Sequence, residues 1–251
     1  MSSSPAARSY SYPNAVRSGS VFHIRPYQMF SLIEEPPAKR IVQTAIPCRR
    51  GVGGVSLLET FVLIAGSQIV GTTRAFEFGT FLGATTLNLA LNLPARGKVF
   101  TLDLSESDAH RALQDVADAP LTETHLAAKS SLDFAGTAVA HKVKTLTGDS
   151  KNFDFSKWHS SMDLVFVDGG HDVATVKSDT ENALRLVRRD KASCIFWHDY
   201  GNRDYGALTS YLDELSQSLV LVHIQDTMLC AWFHDPGDRF LPRLVWRTPS
   251  I

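Results

Sequence analysis

The sequence predicts an α/β fold in which helices cover both faces of a doubly wound, mostly parallel sheet. Three observations predict it. Strand-like and helix-like patterns alternate from residue 56 onward, the arrangement that right-handed crossovers between parallel strands produce. Two apolar runs, Leu164-Val165-Phe166-Val167 and Ser193-Cys194-Ile195-Phe196-Trp197, are continuous rather than alternating, as in strands buried on both faces. Each run ends abruptly, the first in Asp168-Gly169-Gly170-His171 and the second in His198-Asp199-Tyr200-Gly201. In open α/β sheets ligands collect at that carboxyl edge of the strands, so two adjacent strand ends converge on a candidate site.

The elements follow in order. Residues 56–70 place Leu57, Leu58, Phe61, Val62, Ile64 and Ala65 on one broad face and form a helix. A short strand at 74–77 leads into the loop Gly79-Thr80-Phe81-Leu82-Gly83, and a helix over 84–93 is stopped by Pro94. Residues 98–104 alternate as a second strand, 107–116 and 123–130 carry helical patterns, and 141–146 are extended before a turn at Gly148-Asp149. A fourth strand at 163–167 precedes a helix over 173–187, a fifth strand at 192–197 and a helix over 207–215. Residues 219–224 and 228–233 form a terminal β pair.

Bulk properties limit the function classes. A chain of 251 residues with 44% hydrophobic content can bury one large core, and a single α/β domain over 56–251 with an N-terminal extension is the simplest organisation. Lys+Arg 25 against Asp+Glu 26 gives a net charge of -1 without a basic block, so a nucleic-acid footprint is absent and a small-molecule partner is expected. Cys48, Cys194 and Cys230 are too few and too widely spaced for a disulfide framework or a zinc motif, which fits a reducing, cytoplasmic setting. The apolar runs fall short of the roughly 18 residues that a membrane helix requires, so no membrane partner is expected. Residues 1–20, rich in Ser, Pro, Tyr and Arg, are expected to be a disordered leader. An organelle transit peptide is the alternative, since no Asp or Glu precedes Glu34. Residues 21–55 mix aromatic residues with prolines, a composition for short helices or a docking arm.

The loop at 79–83 lies between a strand and a helix, where a glycine-rich turn brings backbone N–H groups against a ligand. Its Gly-x-x-x-Gly spacing misses the Gly-x-Gly-x-x-Gly of dinucleotide folds, which weakens the alternative of a nicotinamide-dependent oxidoreductase. Glu77 at the strand end would repel a pyrophosphate but suits a cationic amino-acid group. Asp103 ends the next strand and is placed to accept hydrogen bonds from two ribose hydroxyls, and Asp149 is placed to receive an adenine amino group. A ribose ligand with a positive, phosphate-free tail is S-adenosylmethionine, so Glu77, Gly79, Thr80, Phe81, Gly83, Asp103, Asp149 and Asp168 form the expected cofactor set.

These segments resemble a known family. Ala75-Phe-Glu-Phe-Gly-Thr-Phe-Leu-Gly83, Thr101-Leu-Asp103, Thr147-Gly-Asp-Ser150, Asp163–His171 and Trp197-His-Asp-Tyr-Gly201 are similar to the successive motifs of class I S-adenosylmethionine-dependent methyltransferases. The narrower resemblance is to the metal-dependent O-methyltransferase branch that includes catechol and macrolide-sugar enzymes, over about residues 55–235. It implies a Rossmann-like seven-stranded sheet ending in an antiparallel hairpin, with Glu77 near the methionine amino group, Asp103 on the ribose and Asp149 near adenine. It also implies a divalent metal, magnesium or manganese, on Asp168, His198 and Asp199, with His171 as general base. His198 stands where that branch usually has a carboxylate; magnesium prefers oxygen, whereas manganese, iron or zinc accept imidazole. Adjacent residues in a strand point to opposite faces, so His198 and Asp199 can share a cation only if the strand has already turned into loop, and Asn202 is the fallback ligand. The implied partner is a small hydroxylated acceptor such as a natural product, and a homodimer is compatible with it. A protein that binds the cofactor without turnover is the rival from a different class.

Overall fold

The computed structural model describes residues 16–18, 21–33, 41–46, 54–105, 107–109, 123 and 132–245. Among the described residues nine strands form one sheet: β1 (Val16–Ser18), β2 (Val21–Ile24), β3 (Arg74–Phe78), β4 (Lys98–Asp103), β5 (Val143–Thr147), β6 (Leu164–Val167), β7 (Ser193–Trp197), β8 (Leu221–Ile224) and β9 (Cys230–His234). The α-helices that lie wholly within the described residues are α1 (Pro26–Phe30), α2 (Leu57–Val70), α3 (Ala84–Asn92), α4 (Val173–Leu186), α5 (Gly206–Leu215) and α6 (Leu241–Val245). The strand order is β1-β2-β8-β9-β7-β6-β3-β4-β5. The five strands from β3 to β7 run parallel, whereas β9 is antiparallel to both β7 and β8.

The pleat explains why the strands are apolar throughout. Ala75, Leu164, Phe166, Cys194 and Phe196 point to the face covered by α2 and α3, where they meet Val62, Leu63, Val70 and Leu89. Phe76, Phe78, Val165, Val167, Ile195 and Trp197 point to the opposite face and pack against Val176, Ala183 and Leu186 of α4 and Leu208 and Leu212 of α5. Helix α2 begins in a capping box, with Ser56 and Glu59 each accepting the other's backbone N–H, and ends at Gly71 in the left-handed conformation (φ 65°). Asp172 caps α4 by accepting the Thr175 N–H at 3.0 Å. Among the described residues no helix is long and apolar enough to cross a membrane.

The sheet adds to the expected one. The seven strands that the resemblance implies are present with their terminal antiparallel hairpin, but β1 and β2 extend them to nine. β2 pairs in parallel with β8, matching His23 with His223, and so covers an edge whose N–H and C=O groups would otherwise be unpaired. Residues 16–18, inside the expected leader, are therefore a strand, and the segment from residue 21 is β2 followed by the five-residue α1. The helices expected over 107–116 and 123–130 fall mostly outside the described residues.

Candidate active site

Parallel register brings Phe78, Asp103, Thr147, Val167 and Trp197 to one edge of the sheet. The loops leaving that edge enclose a cavity of about 1000 Å³, lined by residues that include Gly79, Phe81, Asp103, Asp149, His171 and Tyr205. At its floor two chain segments cross in contact. Asp168 N–H donates to the Phe78 carbonyl at 3.0 Å, and Gly79 N–H donates to the Leu102 carbonyl at 2.9 Å. Gly79 has φ 87°, and a side-chain carbon there would sit 2.0 Å from the Asp168 carbonyl oxygen. Only glycine fits, for both backbone and space. Gly83 has φ 85° and lies against the Phe134 ring, where a side-chain carbon would approach to 2.8 Å.

Asp103 organises this loop. Its Oδ2 accepts the Thr80 N–H at 2.9 Å and the Phe81 N–H at 2.8 Å, while Oδ1 accepts the Leu104 N–H at 2.7 Å. The N–H groups of Thr80 and Phe81 are therefore engaged within the protein rather than turned to a ligand. Asp149 sits on the cavity wall, its Oδ1 accepting the Lys151 N–H at 2.9 Å. Glu77 departs from its expected place. It is 1% exposed, lies beneath the loop, and accepts hydrogen bonds from the hydroxyls of Thr101, at 2.6 Å, and Thr86. Burial without a cation pushes its carboxyl up to about 8; the two hydroxyls oppose that rise, and the nearby charges of Asp168 and Asp103 add to it. The reason is packing: Glu77 points inward from a central strand, so loop and hydroxyls separate it from the cavity.

The ends of β6 and β7 are the opposite case. Asp168, His171 and Asp199 each offer a ligand atom, and those atoms all lie within 4.8 Å of one another. His171 Nε2 is 3.0 Å from Asp199 Oδ2, and its ring stacks on Tyr205 with centroids 4.0 Å apart and planes 8° from parallel. Asp199 has turned out of the strand into the left-handed region (φ 62°), where its side chain joins its neighbours around the cavity. Asn202 donates from Nδ2 to Asp199 Oδ1 at 2.7 Å. Burial would raise the Asp199 carboxyl, but His171, His198 and Asn202 outweigh it and hold the group far below the usual carboxylate range.

His198 is not one of these three, though it lines the same cavity beside them. Its Nδ1 is 3.2 Å from both Asp168 Oδ1 and Asp199 Oδ2, and its Nε2 is 3.4 Å from Glu59 Oε1, an ion-pair contact without hydrogen-bond alignment. Burial would lower this imidazole, but the surrounding carboxylates of Asp168, Asp199 and Glu59 hold it well above the ordinary histidine range. Glu59 was missed as a site residue. Ser56-x-x-Glu59 signals a helix cap in the sequence, but its second contact, reaching from α2 to the end of β7, has no sequence signal.

Residues 76–200 match the family model described as a methyltransferase domain. The chain belongs to the methyltransferase family. No curated protein matches it significantly. Among solved structures, a Staphylococcus aureus protein assigned as a caffeoyl-CoA O-methyltransferase aligns with TM-score 0.53 at 13% identity, over 72% of this chain and 85% of that one. The Bacillus cereus O-methyltransferase in complex with SAH gives TM-score 0.47 at 21% identity, over 73% of this chain and 83% of that one. The O-methyltransferase TomG from Streptomyces achromogenes, in complex with SAM, gives 0.47 at 18%, over 72% and 80%. This methyltransferase thus shares its fold with the S. aureus protein, while its site chemistry rests on its own residues.

Proposed function

We propose that this methyltransferase transfers a methyl group from S-adenosylmethionine to a hydroxyl of a small molecule. The observation that carries the reading is the pairing of His171 with Asp199 on the wall of the same cavity that the glycine loop and Asp103 line. The cavity volume and the side-chain-free crossing at Gly79 suit a nucleoside laid against backbone. Bound there, the cofactor supplies an electrophilic methyl on a sulfonium, and transfer in line to oxygen leaves a neutral thioether.

A neutral hydroxyl is a poor nucleophile, so its proton must leave near the moment of attack. His171 takes that proton. Asp199 holds the imidazole by Nε2 and stabilises the charge that the ring gains, and Tyr205 fixes its plane by stacking. A positioned base of this kind contributes about 10²- to 10⁴-fold. Holding acceptor and sulfonium in line is worth about 7–11 kcal/mol of the barrier.

The convergence of Asp168, His171 and Asp199 favours a second reading, in which His171 is a ligand to a divalent cation. The donor set of two carboxylates and one imidazole suits manganese, iron or zinc better than magnesium. A cation held there would lower the acceptor hydroxyl's pKa and orient it. The deciding experiment follows labelled methyl from S-adenosylmethionine into a panel of phenols, catechols and sugars, with chelator and then with added manganese. Activity abolished by chelator and restored by manganese is the expected outcome of the second reading. Full activity in chelator, with no metal by elemental analysis, leaves His171 as base. S-adenosylmethionine binding with no product from any acceptor would reduce the protein to a cofactor binder.

A further inference from the structure

We infer that Glu59 is a positioning residue for the acceptor side of the site, acting through the His198 imidazole; the inference builds on the reading of that side given above. A capping glutamate needs one carboxylate oxygen, and Glu59 gives Oε2 to that task by accepting the Ser56 N–H at 2.7 Å. Its other oxygen does more. Oε1 accepts the Met228 N–H at 2.7 Å and faces His198 Nε2 at 3.4 Å. Met228 itself accepts the Tyr200 N–H at 3.0 Å through its carbonyl, so one buried carboxylate, 2% exposed, joins the start of α2, the turn between β8 and β9, and the residues that follow β7.

His198 is clamped from both edges of its ring. One nitrogen meets Glu59 and the other stands 3.2 Å from an oxygen of each of Asp168 and Asp199. Two carboxylates at adjacent strand ends repel one another, and the ring between them sets their separation; the Asp199 oxygen that faces it, Oδ2, is the one that also lies 3.0 Å from His171 Nε2, so the His198 ring fixes the oxygen on which His171 rests. Without Glu59 the Nε2 edge would face a buried space with no acceptor, so the ring would reorient and the two carboxylates would lose their common contact. A histidine where the resemblance expects a carboxylate thus has a local purpose: it needs, and has, an acid behind it.

The test compares Glu59→Gln, His198→Gln, the double variant and Ser56→Ala. Ser56 removes the helix cap without touching His198. Three readouts apply: SAH affinity by calorimetry, kcat with saturating S-adenosylmethionine and 3,4-dihydroxybenzoate as the probe acceptor, and the ring ¹⁵N–¹H correlations of His198. Glu59→Gln is expected to lower kcat roughly tenfold, to keep SAH affinity within about twofold, and to shift the His198 ring signals. The double variant should be no slower than His198→Gln alone, because the two residues act as one unit. Ser56→Ala should lose a few degrees of Tm and leave kcat and the ring signals in place. Multiplicative losses in the double variant, or equal losses of kcat in Glu59→Gln and Ser56→Ala, would overturn the inference. If the wild-type protein leaves the phenol unmethylated, the O-methyl-transfer reading is what fails on that acceptor, and the ring spectrum still decides the role of Glu59: unchanged signals in Glu59→Gln would end it.

Discussion

Glu77 and Asp199 are both acids, both buried, and both at the carboxyl edge of the same sheet, yet the structure treats them in opposite ways. Glu77 has only hydroxyls for company and carries its proton near neutrality, whereas Asp199 is surrounded by two imidazoles and an amide and stays ionised. Depth of burial does not decide a carboxylate's charge; the donors brought to it do. The β3–β4 side is consequently a self-satisfied cradle that gives shape, and the β6–β7 side is a cluster of carboxylates and imidazoles on which the proposed chemistry rests.

The largest expected effect strikes the crossing that joins the two sides. Gly79→Ala puts a methyl group where the Asp168 carbonyl already is, in a backbone region that alanine disfavours. A loss of about 3 kcal/mol in urea unfolding and complete loss of SAH binding by calorimetry are expected. Next comes the charged side by itself. His171→Ala should lower kcat about 10²-fold or more while SAH affinity changes less than about twofold. A parallel loss of SAH affinity would erase the distinction between cradle and chemistry.

The smallest effect on activity, and the sharpest check on the contrast, comes from Glu77. Its folded pKa of about 8 lies above the ordinary 4.5, so between those values the native state holds a proton that the unfolded chain has released. Stability therefore falls as pH rises from about 4.5 toward 8 and levels off above it, by an amount on the order of a few kcal/mol. Glu77→Gln should flatten that slope in denaturation curves taken from pH 5 to 8, with turnover at neutral pH nearly unchanged. A slope of opposite sign would show that Glu77 is ionised in the folded protein.

Much of this was legible in the sequence, for identifiable reasons. The apolar runs of β6 and β7 and the abrupt polar residues after them located the edge, and the glycines at 79 and 83 marked a turn that geometry does require. Asp168, His171 and Asp199 do converge. What could not be read were contacts made across long separations or by unusual backbone. Asp199 reaches the cavity with a positive φ that no local pattern announces. Glu77 looked like a ligand group because strand-end position says nothing of depth, and Thr86 and Thr101, which satisfy it, lie on separate elements. Strand β2 escaped notice because its four residues show no clean alternation and its partner β8 is some 200 positions away.

The contact between Gly79 and the Asp168 carbonyl has a bearing on engineering. With no gap between the two turns, neither can be exchanged for a relative's version alone, since any altered curvature in one collides with the other. Chimaeras should transplant both turns together, or confine the change to Gly201 (φ 81°), which meets open space, and keep Asn202 and Tyr205.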